Sequence, residues 1–283
     1  MRSVFLRYPG GKAKAVTFSY DDGFRTDIRL ANIFTKYGMK GTFNLNSERS
    51  HGCSFTKEEA EEIFYANGHE IAVHGEFHRA NGNCRPIEGI RDVLNCRLEL
   101  EKKYERIIRG MAYPDSGIRR FGNYGNYEMV KQYLTELDIA YSRTLGEDNC
   151  KFELPADFHA WMPSAHHTNP EMIDYVEKFL ALDTSTKVYH AARTPKLLYI
   201  WGHSTEFEGN NNWELIEEIC EKLSNNDEIW YASNIEIYDY VQGYKNLRYS
   251  ADGHMVYNTN LFEIWLDVDG VIHSVKPGET IRI

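Results

Sequence analysis

Apolar and polar positions alternate along the first 245 residues in a pattern that predicts β-strands separated by amphipathic helices. The apolar run AVTFSY (residues 15–20) precedes a helical pattern over residues 27–37, and the run GTFNLN (residues 41–46) follows it. This order predicts one β-α-β unit. Thr56 and Glu59 then form a capping-box pattern ahead of a helix ending near Gly68, and the strand EIAVH (residues 70–74) comes next.

The same alternation continues to about residue 233. Further helices are predicted at 86–104, 126–137, 170–182 and 213–223, and further strands at 111–114, 139–144, 158–162, 196–203 and 228–233. Seven or eight such units in about 245 residues fit the size of a parallel (β/α) barrel better than an open sheet. We therefore predict an irregular parallel barrel of seven to eight strands.

The pattern changes after residue 245. Short β-like segments follow, MVYNTN (255–260), the longer run 261–275 and GETIRI (278–283), and Asp269 with Gly270 forms a hairpin signal. The sequence thus predicts a barrel over residues 1–245 and a small β-rich extension over residues 246–283.

Composition narrows the possible functions. A hydrophobic fraction of 42% with 13% aromatic residues is typical of a folded globular protein, and the net charge of -10 without a Lys/Arg cluster argues against nucleic acid binding. Membrane insertion is not expected, because no 18-residue apolar run occurs, and the absence of a signal-peptide pattern predicts a cytoplasmic protein. The five cysteines form no C-x-x-C pair, which predicts reduced structural thiols.

Polar residues follow several of the predicted strands, and in a (β/α) barrel the carboxyl ends of the strands form the functional face. Asp21 and Asp22 end the first strand, and His74 ends the third, with His78 four residues later. The other strand-end residues expected at this mouth are Tyr113, Pro114, Trp161 and His203.

The two histidines of HGEFH have a spacing of four, which would place both on one side of a helical turn. This spacing alone is more typical of a polar surface turn. Two His with one Asp from another strand, however, leave a metal with open positions for water and substrate, as catalytic sites require. One of the paired aspartates would then bind metal and the other would act as a base. The alternative for Asp21 and Asp22 is a turn with a helix N-cap.

Five motifs, TFSYDDG (17–23), HGEFH (74–78), AYP (112–114), DFHAW (157–161) and IWGH (200–203), occur in this order. In this respect the chain resembles the polysaccharide deacetylase family, the NodB-type carbohydrate esterases. The resemblance implies a hydrolase that removes acetyl groups from an N- or O-acetylated saccharide with a metal-activated water. It further implies that Asp21 is the general base, His203 is the general acid, and the Tyr113 backbone N–H binds the oxyanion.

The resemblance also implies the ligands of the site. Asp22, His74 and His78 would hold one divalent metal ion, with zinc favoured, although the same set accepts cobalt, nickel or iron. The expected partner is an acetylated saccharide, and the residues expected to bind it at the mouth are Trp161, Trp201 and Pro114.

Two positions depart from the family pattern. Ala112 stands where family members usually have an arginine, and Ala160 stands where they have a second acid. These charged groups steady the base and tune the acid, and the sequence leaves open what replaces them; the candidates for tuning are His166, His167 and Glu206. Two other functions also remain open, a sugar-binding homologue with impaired catalysis and a metal-dependent amidase acting on a small cyclic amide or imide.

Overall fold

Eight parallel strands form one curled sheet in the computed structural model, which describes residues 2–47, 55–123, 125–146, 151–185 and 193–283. The strands of this sheet are β2 (Lys14–Asp22), β3 (Gly41–Leu45), β4 (Glu70–Val73), β5 (Gly110–Ala112), β6 (Tyr141–Arg143), β7 (Ala165–His166), β8 (Lys196–Gly202) and β9 (Ile229–Tyr231). The strand order is β6-β5-β4-β3-β2-β8-β7, and β9 pairs with the first three residues of β2.

Helices lie between these strands along the chain. They are α1 (Thr26–Lys36), α2 (Lys57–Glu59), α3 (Pro86–Tyr104), α4 (Tyr127–Glu136), α5 (Met172–Leu180), α6 (Ser204–Asn210), α7 (Trp213–Leu223) and α8 (Asn234–Lys245). The predicted capping box of Thr56 and Glu59 is confirmed at α2, which continues as a π-helical and a 3₁₀ turn to Asn67. The predicted β/α alternation is confirmed, while α6 and α8 were not predicted.

The two edges of the sheet approach each other through residues 161–166. The Trp161 N–H donates to the Ser142 carbonyl on β6 (3.1 Å), and β7, only four residues later, pairs with β8. The prediction of an irregular parallel barrel is therefore confirmed as a curled, incompletely closed sheet. The predicted strand at 158–162 is wrong, because Phe158–Ala160 form a 3₁₀ turn that leaves only Trp161 in a bridge to β6.

The C-terminal residues form antiparallel strands, as predicted. These are β10 (Arg248–Tyr249), β11 (Met255–Tyr257), β12 (Ile264–Val268), β13 (Val271–Val275) and β14 (Thr280–Arg282). The predicted hairpin is confirmed, since Val268 pairs with Val271 around Asp269 and Gly270, both with positive φ. The first strand of the chain, β1 (Val4–Arg7), pairs with β12, so the N-terminus joins this region, and the proposed division at residue 245 stays a prediction.

The buried apolar side chains form two hydrophobic clusters. One packs α1, α3, α5 and α7 against the parallel sheet, and the other joins α8 and the C-terminal strands to the sheet. The helices within the described ranges are too short or too polar to cross a bilayer. Cys84 is partly exposed, Cys96 and Cys220 are buried, and Cys53 and Cys150 lie outside the described residues, so the expectation of reduced thiols stays a prediction.

Candidate active site

A cavity of about 590 Å³ opens at the carboxyl ends of the strands. Parallel strands bring these ends to one face of the sheet, so residues distant in sequence converge there. The lining residues are Asp21, His74, His78, Tyr113, Asp115, Ser116, Arg119, Arg120, Leu145 and His203. The cavity therefore unites the ends of β2, β4, β5, β6 and β8.

Asp22 comes together with His74 and His78, two of the residues that line this cavity. One donor atom from each residue lies within 4.8 Å of the other two. The Nε2 atoms of His78 and His74 lie 3.4 and 3.7 Å from Asp22 Oδ1. Ligands bound tetrahedrally at about 2.0–2.1 Å from zinc would be separated by about 3.4 Å, so this set fits a divalent ion.

The protonation state of His74 also suits metal binding. Its Nδ1 donates to the Ala112 carbonyl (2.9 Å), which directs the unprotonated Nε2 toward Asp22. Burial lowers the pKa of His74, which favours the neutral imidazole that a metal needs. Ala112, which lacks the family side chain, thus contributes through its backbone.

The HGEFH segment forms a loop, and the helical turn predicted for it is wrong. Gly75 and His78 have φ values of 81° and 55°, which a right-handed helix cannot contain. Asp92 of α3 holds this loop, since its Oδ1 accepts from the Phe77 N–H (2.8 Å) and its carbonyl accepts from the Glu76 N–H (2.9 Å). A Cβ at Gly75 would lie 2.3 Å from Asp92 Oδ2, so glycine is required there.

The backbone at the end of β2 explains how two adjacent aspartates serve one site. Neighbouring strand residues normally face opposite sides of a sheet, but Asp22 has a φ of 81° that interrupts this alternation. As a result His74 Nε2 lies 3.8 Å from Asp21 Oδ2 and 3.7 Å from Asp22 Oδ1. The N-cap alternative is not observed, because α1 begins after Arg25 without a side-chain cap.

Asp21 is buried and held by residues of two other strands, Asn44 on β3 and Arg143 on β6. Its Oδ1 accepts from Asn44 Nδ2 (2.8 Å), and its Oδ2 forms a hydrogen-bonded ion pair with Arg143. Burial alone would raise the pKa of Asp21, but Arg143, His74 and His203 together hold it below the ordinary value for aspartate. The carboxylate is therefore ionised and oriented, as a proton acceptor must be.

Arg143 is the functional residue that the sequence reasoning missed. It lies on β6, one strand beyond Ala112 on β5, and the two residues are register partners. Its guanidinium is fully buried and also lies over the Trp201 ring (4.3 Å). A lone arginine in the predicted strand IAYSRT was the available signal, but only the strand order shows that it reaches Asp21.

His203 reaches the cavity from the end of β8 with a side chain that is 30% exposed. Its Nδ1 lies 3.4 Å from Glu206 Oε2 in the first turn of α6. Burial alone would lower the pKa of His203, but the Glu206 hydrogen bond and the charges of Asp21, Glu206 and Asp22 raise it above the ordinary value. Glu206, one of the sequence candidates, thus stabilises the imidazolium in the absence of an acid at Ala160.

The prediction that the Tyr113 N–H binds the oxyanion is contradicted by the hydrogen bonding. This N–H already donates to the Arg143 carbonyl (3.0 Å), and the Tyr113 hydroxyl donates to the His159 carbonyl (2.8 Å). Pro114 has no N–H, so the next donor along this rim is that of Asp115, which lines the cavity with a φ of 50°. Among the described residues no acceptor engages the Asp115 N–H.

The three predicted substrate-binding residues have little free surface, and none of them is among the residues that line the cavity. Trp161 is 1% exposed and packs edge-on against Tyr141, Phe158 and Tyr199, so it has no ring face available for a sugar. Trp201 is 8% exposed beneath Arg143. The burial of both rings favours packing, and Pro114 is also buried.

Comparisons with known proteins agree with the fold and the motifs. The model of the polysaccharide deacetylase family matches residues 8–123, which include Asp21, Asp22, His74 and His78. A search of curated proteins finds no match.

Solved structures show the same fold at low sequence identity. A protein from Mycobacterium smegmatis assigned to the polysaccharide deacetylases aligns at 16% identity over 86% of this chain and 95% of its own, with a TM-score of 0.56. An allantoinase, PuuE, aligns at 13% identity over 82% and 91%, with a TM-score of 0.55. A variant of the Bacillus subtilis peptidoglycan deacetylase PdaC aligns at 15% identity over 84% and 95%, with a TM-score of 0.51.

The family model and the motif order point to the same group of proteins, and the parallel fold agrees with both. The resemblance expected from the sequence is thus confirmed over residues 8–123, the part of the chain that the polysaccharide deacetylase family model matches.

Proposed function

We propose that this protein is a metal-dependent deacetylase that hydrolyses an acetyl amide or acetyl ester on a saccharide. The observation that supports this most directly is the joint placement of Asp21, the Asp22/His74/His78 set and His203 around one cavity. A base, a metal-ligand set and an acid within one cleft are the groups that hydrolysis of an acyl bond requires.

The ion would be held by Asp22, His74 and His78. When bound, it supplies a Lewis acid that lowers the pKa of water and polarises the acetyl carbonyl. The remaining functions belong to the protein. Asp21, ionised and fixed by Arg143 and Asn44, accepts the proton of the attacking water.

Two further donors are needed: a hydrogen-bond donor for the negative charge that develops on the carbonyl oxygen, and a proton donor for the leaving group. We assign the first to the Asp115 N–H, because the Tyr113 N–H is already bonded. His203, whose pKa is raised by the Glu206 hydrogen bond, gives its proton to the leaving nitrogen or oxygen. Because amine and alkoxide need the same proton, this arrangement suits both N- and O-deacetylation.

Acetate release is the direct test of this proposal. We expect the zinc-loaded protein to release acetate from at least one N-acetylated or O-acetylated oligosaccharide, to lose this activity after chelation, and to regain it when zinc is restored. His203→Gln, with its metal retained, should release acetate far more slowly. Hydrolysis of cyclic amides or imides without acetate release would instead support the amidase, and sugar binding without any turnover would support the impaired homologue.

The rim of the cavity suggests one property of the substrate. Arg119 and Arg120 are exposed there, and neither forms an ion pair with any residue of the described ranges. Two unpaired guanidinium groups in a protein of net charge -10 favour a saccharide that bears an anionic group next to its acetyl substituent.

Removing both rim arginines should therefore weaken binding selectively. An exposed ion pair contributes about 0.2–1 kcal/mol, so we expect Arg119→Ala with Arg120→Ala to raise KM for an anionic acetylated saccharide about 2- to 30-fold. KM for a neutral analogue should change little, and Arg91→Ala, which removes an exposed arginine on α3, is the matched control. An equal rise for both substrates would contradict an electrostatic role.

A further inference from the structure

A second cluster of metal-ligand side chains lies beside His203. His166 ends β7, His167 follows it, and Glu206 lies in the first turn of α6. One donor atom from each lies within 4.8 Å of the other two. Within the described part of the chain, only this cluster and the Asp22 set bring three such groups together.

The spacing of the donor atoms matches tetrahedral coordination. Glu206 Oε2 lies 3.3 Å from His166 Nε2 and 3.4 Å from His167 Nε2. Two ligands at about 2.0–2.1 Å from a tetrahedral zinc ion are separated by about 3.4 Å, the distance observed here. Two imidazoles and one carboxylate are also the ligand types of the Asp22 set.

His167 supplies a separate observation that points to a ligand. It is 1% exposed, and neither of its ring nitrogens has a hydrogen-bond partner. An unsatisfied buried polar group costs about 1–3 kcal/mol. Its Nε2 lies 3.4 Å from Glu206 Oε2, close enough for one ion to contact both atoms.

The surrounding residues fix this ring in place. His167 is stacked between Tyr20 (ring centroids 5.6 Å apart) and Phe207 (4.1 Å). A Cβ at Gly202 would lie 2.0 Å from His167 Nδ1, so glycine is needed for the ring to occupy this position. The orientation of the ligand is therefore determined before any ion arrives.

His166 and Glu206 leave the cluster partly open to solvent, and His166 is also hydrogen-bonded to Thr168. Their side chains are 15% and 34% exposed, which leaves a route for an ion and for a coordinating water. His166 Nδ1 lies 2.7 Å from the Thr168 hydroxyl, which can accept a hydrogen bond from Nδ1–H in the tautomer whose Nε2 carries no proton. The Thr168 N–H lies 3.2 Å from Nδ1 and can donate to it only when Nδ1 carries no proton. Metal binding at Nε2 requires the proton on Nδ1, so the bond from the Thr168 N–H would be replaced by the bond to the Thr168 hydroxyl.

We propose that His166, His167 and Glu206 form a second binding site for a divalent transition-metal ion. An ion there would join the end of β7 to the first turn of α6, and it would compete with His203 Nδ1 for the Glu206 Oε2 atom that lies 3.4 Å from it. The proposal does not depend on the deacetylase activity, because ligand type, spacing and the unpartnered His167 ring are independent of any substrate.

Metal content tests the proposal with zinc as the probe. After equilibration with zinc and removal of the excess, the wild-type protein should retain two zinc ions per chain. His166→Gln should retain one, and His78→Ala should also retain one, at the other site. His254→Gln, which changes an exposed histidine outside both clusters, should retain two.

Anomalous diffraction at the zinc edge gives a second measurement that needs no variant. A peak between His166, His167 and Glu206 in the zinc-loaded wild type would support the site. One zinc per wild-type chain, held by the Asp22 set, two in His166→Gln, or no anomalous peak at the second cluster would each overturn the proposal. Loss of zinc from the Asp22 set alone would instead count against the proposed catalytic metal.

Discussion

Asp21→Asn is expected to lower kcat by about 10²–10⁴-fold while leaving the metal bound, because it removes the proton acceptor but none of the three proposed ligands. The amide preserves the size and shape of the side chain between Asn44 and Arg143. Single-substrate kinetics and metal titration, performed on the same preparation, measure the two effects separately.

Asp22→Asn is the matched comparison, since it makes the same chemical change one residue later. It replaces an anionic ligand next to His74 and His78 with a neutral one, so metal affinity and rate should fall together. Loss of metal from Asp21→Asn with retention in Asp22→Asn would reverse the two roles. Full metal binding and turnover in both variants would contradict a catalytic function for the pair.

Arg143→Met should destabilise the metal-free protein by about 3–5 kcal/mol, because it leaves the buried Asp21 carboxylate without its partner. Denaturant unfolding in the presence of a chelator measures this loss without a contribution from a bound ion. Arg143→Lys retains the charge and is the control, with a smaller expected loss.

The double variant Arg143→Met with Asp21→Asn separates the ion pair from simple packing. Without either charge, much of the lost stability should return, while activity should remain as low as in Asp21→Asn. In Arg143→Met alone, the pKa of Asp21 should rise, because Arg143 is a cause of its lowering. The acidic limb of the kcat profile should therefore move to higher pH. Strictly additive losses of stability would show that the two residues do not act as a pair.

The sequence predicted the order of elements because hydrophobic periodicity and helix caps are local properties. The helices Pro86–Tyr104 and Trp213–Leu223 occur at the predicted bounds, and the Asp269–Gly270 hairpin forms as expected. Residues 158–162 were misread, since the apolar side chains of Phe158 and Trp161 pack into the second core from a 3₁₀ turn. Their burial resembles that of a strand, but their backbone does not form one.

The sequence also predicted that Asp21, Asp22, His74, His78 and His203 would share one mouth, because strand ends of a parallel sheet meet on one face. It could not predict the loop geometry at His78, which depends on left-handed residues and on the distant Asp92. Nor could it predict that the Tyr113 N–H is used within the sheet, which is a consequence of β5 pairing with β6.

By itself, then, the sequence determined the fold class and the types of residue at the mouth, both of which follow from local pattern and strand order. Only the tertiary structure decided which charges compensate for Ala112 and Ala160. Arg143 is 122 residues from Asp21 along the chain, and Glu206 is 46 residues beyond Ala160. Electrostatic interactions depend on distance in space, so a side chain on another strand or helix can supply a charge that the usual motif position lacks.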